Sequence, residues 1–224
     1  MSIMTGSFVR LRGAGAALAA IIIASGMAWA APVAVVEDIA GPPAGVQSFD
    51  FLDEGQVIQL QPGNTLVLGY LGSCWRESIV GGTVRVGAEQ STVQGGQVGR
   101  ERVECDGGRM RLTSEQASRS GAVAFRGPPS VPAQAEVFGL NPVFQLGAPG
   151  RLLIERLDRA ASRIDVTVTA RDLNRGLFDL ARANMSLAAG GTYRARAGER
   201  EIVFRVNANA RPGAVPLVAR LIRF

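Results

Sequence analysis

Short apolar or alternating runs, each closed by a glycine-bearing turn, constrain the fold of this chain more than any other feature. The segments 33–36, 56–60, 65–70, 83–86, 103–105 and 110–113 are apolar or alternate polar with apolar, as half-buried strands do. Between them stand Pro62-Gly63-Asn64, Gly81-Gly82, Gly95-Gly96 and Asp106-Gly107-Gly108. Such glycines supply the positive φ angles that tight hairpin turns need. Strands at this spacing predict a barrel-like or curled sheet over residues 31–127. One helical turn is expected at 114–120, "SEQASRS", behind a Ser or Thr cap.

A proline-rich stretch then interrupts the pattern. Pro128, Pro129 and Pro132 remove backbone donors and restrict their neighbours, so residues 128–135 read as a linker. Residues 136–224 read as a second β domain, a small sandwich. Its strands are expected at 151–157, 164–169, 193–196, 201–206 and 216–224, with Ala197-Gly198-Glu199 turning a hairpin. Leu173, Leu177, Leu180, Asn184 and Leu187 recur at helical spacing, which predicts one short helix at 177–186. The fold class is therefore mainly β, with two small domains.

The first thirty residues read as an export signal. Arg10 and Arg12 precede an apolar run from 13 to 24, and Ala28-Trp29-Ala30 offers a small-x-small cleavage site. That run is shorter than the ~20 residues a membrane-spanning helix needs. The expected mature chain starts at Ala31, is periplasmic, and has no membrane span. All 24 basic residues are arginine, and histidine is absent. Residues 31–130 hold 8 arginines against 11 acids, whereas 131–224 hold 14 against 8. The positive charge thus belongs to the C-terminal half, which points to an envelope protein or anionic surface as partner. Nucleic acid is not an expected partner outside the cytoplasm.

Residues 34–113 resemble the FecR-like domains of Gram-negative envelope proteins. The resemblance rests on "LDEGQVIQLQPGNTLVLGYL", where Gly55 precedes one strand and Gly63 and Thr65 open the next, and on "GGTVRVG", where Gly82-Thr83 lead another. Asn64 stands where that pattern has aspartate. The resemblance implies a β-rich periplasmic module that binds partners or passes signals, and it carries over no catalytic residue.

Composition excludes much chemistry. Without histidine or lysine there is no Ser-His-Asp triad, Cys-His pair, histidine metal ligand or Schiff-base lysine. Two cysteines 31 residues apart do not make a zinc site, and Asp50 to Glu54 lacks the ligand spacing of a calcium loop. No metal, cofactor or catalytic residue is expected. A non-enzymatic interaction or signalling-accessory protein is the leading expectation. The alternatives are a hydrolase of envelope glycans using two carboxylates near the cysteines (Glu77, Glu101, Glu104 and Asp106 are candidates) and a purely structural envelope protein.

An exported chain with two cysteines is expected to bond them. Closing Cys74 to Cys105 contributes about 3.5–4 kcal/mol in the chain-entropy account. Trp75, Arg76 and Glu77, beside Cys74 in "GSCWRES", form a candidate contact surface. Intact mass of the exported protein should give a chain beginning at Ala31 and two hydrogens lighter than its reduced form. A retained N-terminus or two free thiols would overturn these assignments.

Overall fold

The computed structural model describes residues 31–107, 132–159, 163–213 and 215–224. The expected export signal, the run 110–113, the expected helical turn at 114–120 and the expected linker up to residue 131 lie outside the described residues. The described chain is mainly β.

The first half forms one six-stranded sheet from β1 (Ala34–Ala40), β2 (Phe51–Leu52), β3 (Val57–Tyr70), β4 (Trp75–Arg85), β5 (Thr92–Gln94) and β6 (Gln97–Arg102). The order is β2-β1-β3-β4-β5, with β6 also paired to β4, so the sheet curls without closing into a barrel. Alternation puts Ile58, Leu66, Leu68, Tyr70, Ile79 and Val84 on one face, where they enclose a core lined only by this half.

The glycines act differently from the expected turns. Gly81-Gly82 sits inside β4, and Pro62-Gly63-Asn64 inside β3, opposite a register shift between Leu60 and Thr65. Both strands therefore bend at one level, a bulge that merges the two expected strands at 56–60 and 65–70 into one. Gly95-Gly96 turns no hairpin either: β5 and β6 follow one another antiparallel to β4, and the two glycines form the break between them, with their backbone against the β4 bulge. A Cβ on Gly82 would stand 2.5 Å from the Gln94 carbonyl oxygen, and one on Gly96 would stand 2.1 Å from that of Gly81. Residues 103–105, expected as a strand, run irregularly beyond β6 to the disulfide, with Val103 N–H donating to the Cys74 carbonyl.

The second half is a sandwich. Its larger sheet runs β10-β9-β13-β14-β7, from β7 (Ala135–Gly139), β9 (Gly150–Arg156), β10 (Arg163–Val168), β13 (Thr192–Ala197) and β14 (Arg200–Arg211). The smaller runs β11-β12-β8-β15, from β8 (Val143–Gln145), β11 (Leu173–Asn174), β12 (Leu177–Asp179) and β15 (Leu221–Arg223). Phe144, Phe178 and Ile222 of the smaller sheet meet Ile154, Tyr193 and Phe204 of the larger. The β13–β14 hairpin turns through Gly198 and Glu199, as its sequence predicts. Ala135, expected as the last linker residue, already belongs to β7.

The expected helix at 177–186 is absent. Arg175 (φ 51°) and Gly176 (φ 77°) make a two-residue turn between β11 and β12, and residues 180–184 form a turn closed by Asn184 (φ 54°). Leu177, Leu180 and Leu187 are all buried, but from a strand, a turn and a loop in succession. Helical spacing arose here because the chain returns to the core at each change of direction. Residues 216–224, expected as one strand, instead make a 3-10 turn at Leu217–Ala219 before β15.

That C-terminal segment joins the halves. Leu217 and Val218 enter a third apolar cluster with Val35, Leu71, Cys74, Cys105, Val143 and Leu177, drawn from both halves. Full burial of each such aliphatic side chain is worth roughly 1.5–3 kcal/mol. The backbone N–H of Val218 donates to Glu37 Oε1 at 3.1 Å. Gly69 makes the approach feasible, since a Cβ there would lie 2.8 Å from Glu37 Oε1 and 3.1 Å from Val218 Cβ.

Gly82→Ala should lower unfolding free energy by about 2–4 kcal/mol in urea titration, combining steric and φ strain. Gly55→Ala, with a similar φ of +85° but open space around it, should cost only about 1 kcal/mol. Equal losses would mean that the backbone contact at the bulge is not what requires glycine.

Candidate functional site

The stretch from Cys74 to Glu77 begins where the β3–β4 turn ends. Cys74 adopts a φ of 58°, and its N–H donates to the Tyr70 carbonyl at 3.1 Å. This aims its side chain at Cys105, to which it is bonded, with Cα atoms 5.6 Å apart. The disulfide is buried within the cluster shared by the two halves.

Strand alternation divides the next three residues, so they do not form a common surface. Trp75 and Glu77 face the inside of the curled sheet, and Arg76 faces the other side. Trp75 is half-buried against the first core, with the Arg102 guanidinium 5.4 Å from its ring centre. Glu77 is 0% exposed and is withdrawn from any contact surface. Its two oxygens each accept from Ser91 N–H at 3.1 Å, and Oε1 also accepts from Arg100 Nε at 2.7 Å. Arg100 also donates to the Ser91 carbonyl, and the Ser91 hydroxyl is bonded to that of Tyr70 at 2.8 Å. This buried network pins the loop between β4 and β5 onto the sheet. Burial pushes the Tyr70 hydroxyl up to about 12, the negative charge of Glu77 adds to the rise, and the Ser91 hydrogen bond opposes it.

Arg76 holds the opposite face together. Its Nε donates to Glu37 Oε2 at 2.8 Å and its NH1 to Glu101 Oε1 at 2.7 Å. Glu37, whose side chain is 7% exposed, thus joins Arg76 to the Val218 backbone. The alternation Arg100-Glu101-Arg102 reads in the sequence as a salt-bridged face. The partners lie across the sheet, where Arg100 turns inward to Glu77 and Glu101 outward to Arg76. Two of the four carboxylates considered for acid–base work are therefore already engaged by arginine.

The arginines of the C-terminal half largely face acids on neighbouring strands. On the outer face of the larger sheet, Arg151 makes a two-pronged contact with Asp165 at 2.6 Å, and Arg163 adds a third bond at 2.8 Å. Arg194 and Arg196 both reach Glu201, and Arg205 reaches Glu136. The Arg151 hydrogen bond holds the Asp165 carboxyl down at about 2. Such exposed pairs each contribute about 0–1 kcal/mol, but together they cancel most of the sheet's positive field.

Beyond this lattice lies a cleft of about 130 Å³ lined by Arg171, Asp172, Phe178, Asp179, Arg182 and Ala183. Asp172 Oδ2 accepts from the N–H and hydroxyl of Thr169, which lowers its pKa. Asp179 is held by both terminal nitrogens of Arg220 at 2.7 and 3.0 Å. A general acid must keep a proton at working pH, and the Thr169 bonds favour the ionised form of Asp172. None of these residues stands out in the sequence, because no local spacing brings residues 171, 179, 182 and 220 together. Among the described residues no group of acids and cysteines is arranged to hold a metal ion.

Comparison with protein-family models, with curated proteins and with solved structures gives no match to this chain.

The raised Tyr70 pKa fixes the sign of an alkaline effect. The unfolded chain loses the Tyr70 proton near its ordinary value of 10.0, while the folded chain keeps it to about 12. Stability should therefore fall by about 2–3 kcal/mol as pH rises across that window. Tyr70→Phe should flatten this slope in denaturation measured from pH 9 to 12; an unchanged slope would sink the assignment.

Proposed function

We propose that the mature chain is a periplasmic interaction module without catalytic activity, FecR-like in its first half, whose basic C-terminal half docks an anionic envelope partner. The export signal in the sequence and the buried Cys74–Cys105 bond support an oxidising compartment. Among the described residues no helix is long and apolar enough to cross a membrane.

The observation that carries the reading is the state of the charged groups. Glu77 and Glu101 are engaged by Arg100 and Arg76, and in the cleft near residues 171–183 Asp179 is held by Arg220 and Asp172 by Thr169. Glycan hydrolysis needs one carboxyl kept protonated and another free to act as base or nucleophile. Excess arginine in the second half, by contrast, needs only a partner of opposite charge.

Immobilised mature protein should retain an acidic envelope component, released as salt rises from about 50 to 300 mM because the attraction is screened. Retention that salt leaves unchanged would remove the charge-based docking. Release of reducing ends from purified peptidoglycan would replace the whole reading with the hydrolase.

A further inference from the structure

We propose that the cleft between the turn after β10 and the turn after β12 is the docking point for a carboxylate of an acidic protein segment, with Arg171 and Arg182 as its two binding groups. The inference rests on the reading that the C-terminal half binds an anion, and it gives that reading a place and a ligand chemistry.

Charge and concavity together point to this cleft: Arg159, Arg200 and Arg211 also have no carboxylate partner among the described residues, but Arg171 and Arg182 stand together in one cleft. Arg151, Arg163, Arg194, Arg196 and Arg205 on the outer sheet face all have carboxylate partners. Arg156 is paired with Asp158, Arg175 with Asp50, and Arg220 with Asp179. Arg171 and Arg182 are exposed, line one concavity, and have no ion-pair or hydrogen-bond partner among the described residues. Of the two acids in the same wall, only Asp172 offsets part of their charge. Asp172 is turned back onto Thr169, and the Asp179 charge is already met by Arg220. Two guanidinium groups thus face a concave site that keeps about one net positive charge, with no carboxylate of the protein bonded to either.

The geometry favours a single carboxylate over other anions. Guanidinium forks match carboxylate oxygens in pairs, as Arg220 already does with Asp179 in the adjoining wall. With Asp172 offsetting one of the two arginines, the remaining charge of the cleft matches a singly charged carboxylate better than a doubly charged phosphate. A membrane surface is a poorer fit, because lipid headgroups are bound by clusters of about 4–8 basic residues. The paired sheet arginines do not provide such a cluster. The cleft volume of about 130 Å³ has room for one side-chain carboxylate. Phe178 and Ala183 give it an apolar floor against which the methylene groups of a glutamate can lie.

The test is fluorescence anisotropy of a labelled hexaglutamate peptide with the mature full-length chain at about 20 mM salt, where screening is weak. Arg171→Gln/Arg182→Gln should weaken binding about fivefold to tenfold, the loss of two exposed charge contacts. Arg151→Gln/Arg163→Gln, which removes the same charge from the paired sheet face, should change it less than twofold. Both variants alter exposed side chains, and unchanged thermal melts would exclude misfolding. Equal weakening by the two variants would overturn the cleft and leave general anion docking intact. No binding of the peptide by the unaltered chain, or of any anion, would overturn the parent reading as well. Binding to phosphatidylglycerol vesicles without peptide binding would overturn the protein segment as occupant.

Discussion

The Glu37 carboxylate is the contact on which the arrangement of the two halves depends. It sits on the outer side of the first sheet, nearly excluded from water, with one oxygen on Arg76 and the other on the Val218 backbone. A buried carboxylate left unpaired is costly, so its two partners must arrive together. Arg76 comes from β4 of the same sheet, and Val218 from the far end of the chain. The first sheet is thereby covered on both faces at this end, by its own curled core within and by the C-terminal segment without. Gly69, Leu71 and the disulfide complete the packing around that contact.

This arrangement gives the disulfide a second effect besides shortening the unfolded loop. Cys74 and Cys105 bring the end of β6 and the β3–β4 turn together, and the joined sulfurs are themselves part of the apolar surface that Leu217 and Val218 cover. Covalent closure within the first half thus prepares the surface on which the second half rests. The stretch Cys74 to Glu77 reads best as architecture: a bonded cysteine, a packed tryptophan, an arginine across one face and a carboxylate sealed into the other.

Charge is handled in two ways in the two halves. In the first, ionic groups are drawn inward and fix loops, as Glu77 does for Ser91 and Arg100. In the second, arginines and acids alternate on an exposed sheet face and largely offset one another, while Arg171 and Arg182 stand together in a cleft without a bonded carboxylate. A net charge counted along the sequence does not separate these cases, because it weights a sealed pair and a free guanidinium equally. The functional question therefore turned on partners rather than on totals.

Fold class, the strands around 57–60, 65–70, 83–85, 151–156, 164–168, 193–196 and 201–206, the β13–β14 hairpin and the cysteine pairing were legible in the sequence, since alternation, turn residues and an even cysteine count are local or compositional signals. The misplaced helix at 177–186 shows the limit of such signals: apolar residues at spacings of three and four also arise when a strand, a turn and a loop each return one leucine to a core. The role of Gly81-Gly82 shows another, because two residues with positive φ bend a paired strand as readily as they turn a hairpin, and the partner strand decides which. Local order, then, was determined by the sequence alone. Tertiary structure alone decided which charges are sealed, which are paired and which remain free, because Glu37 and Val218, or Asp179 and Arg220, meet only after distant segments have packed, and no pattern of neighbours along the chain encodes that meeting.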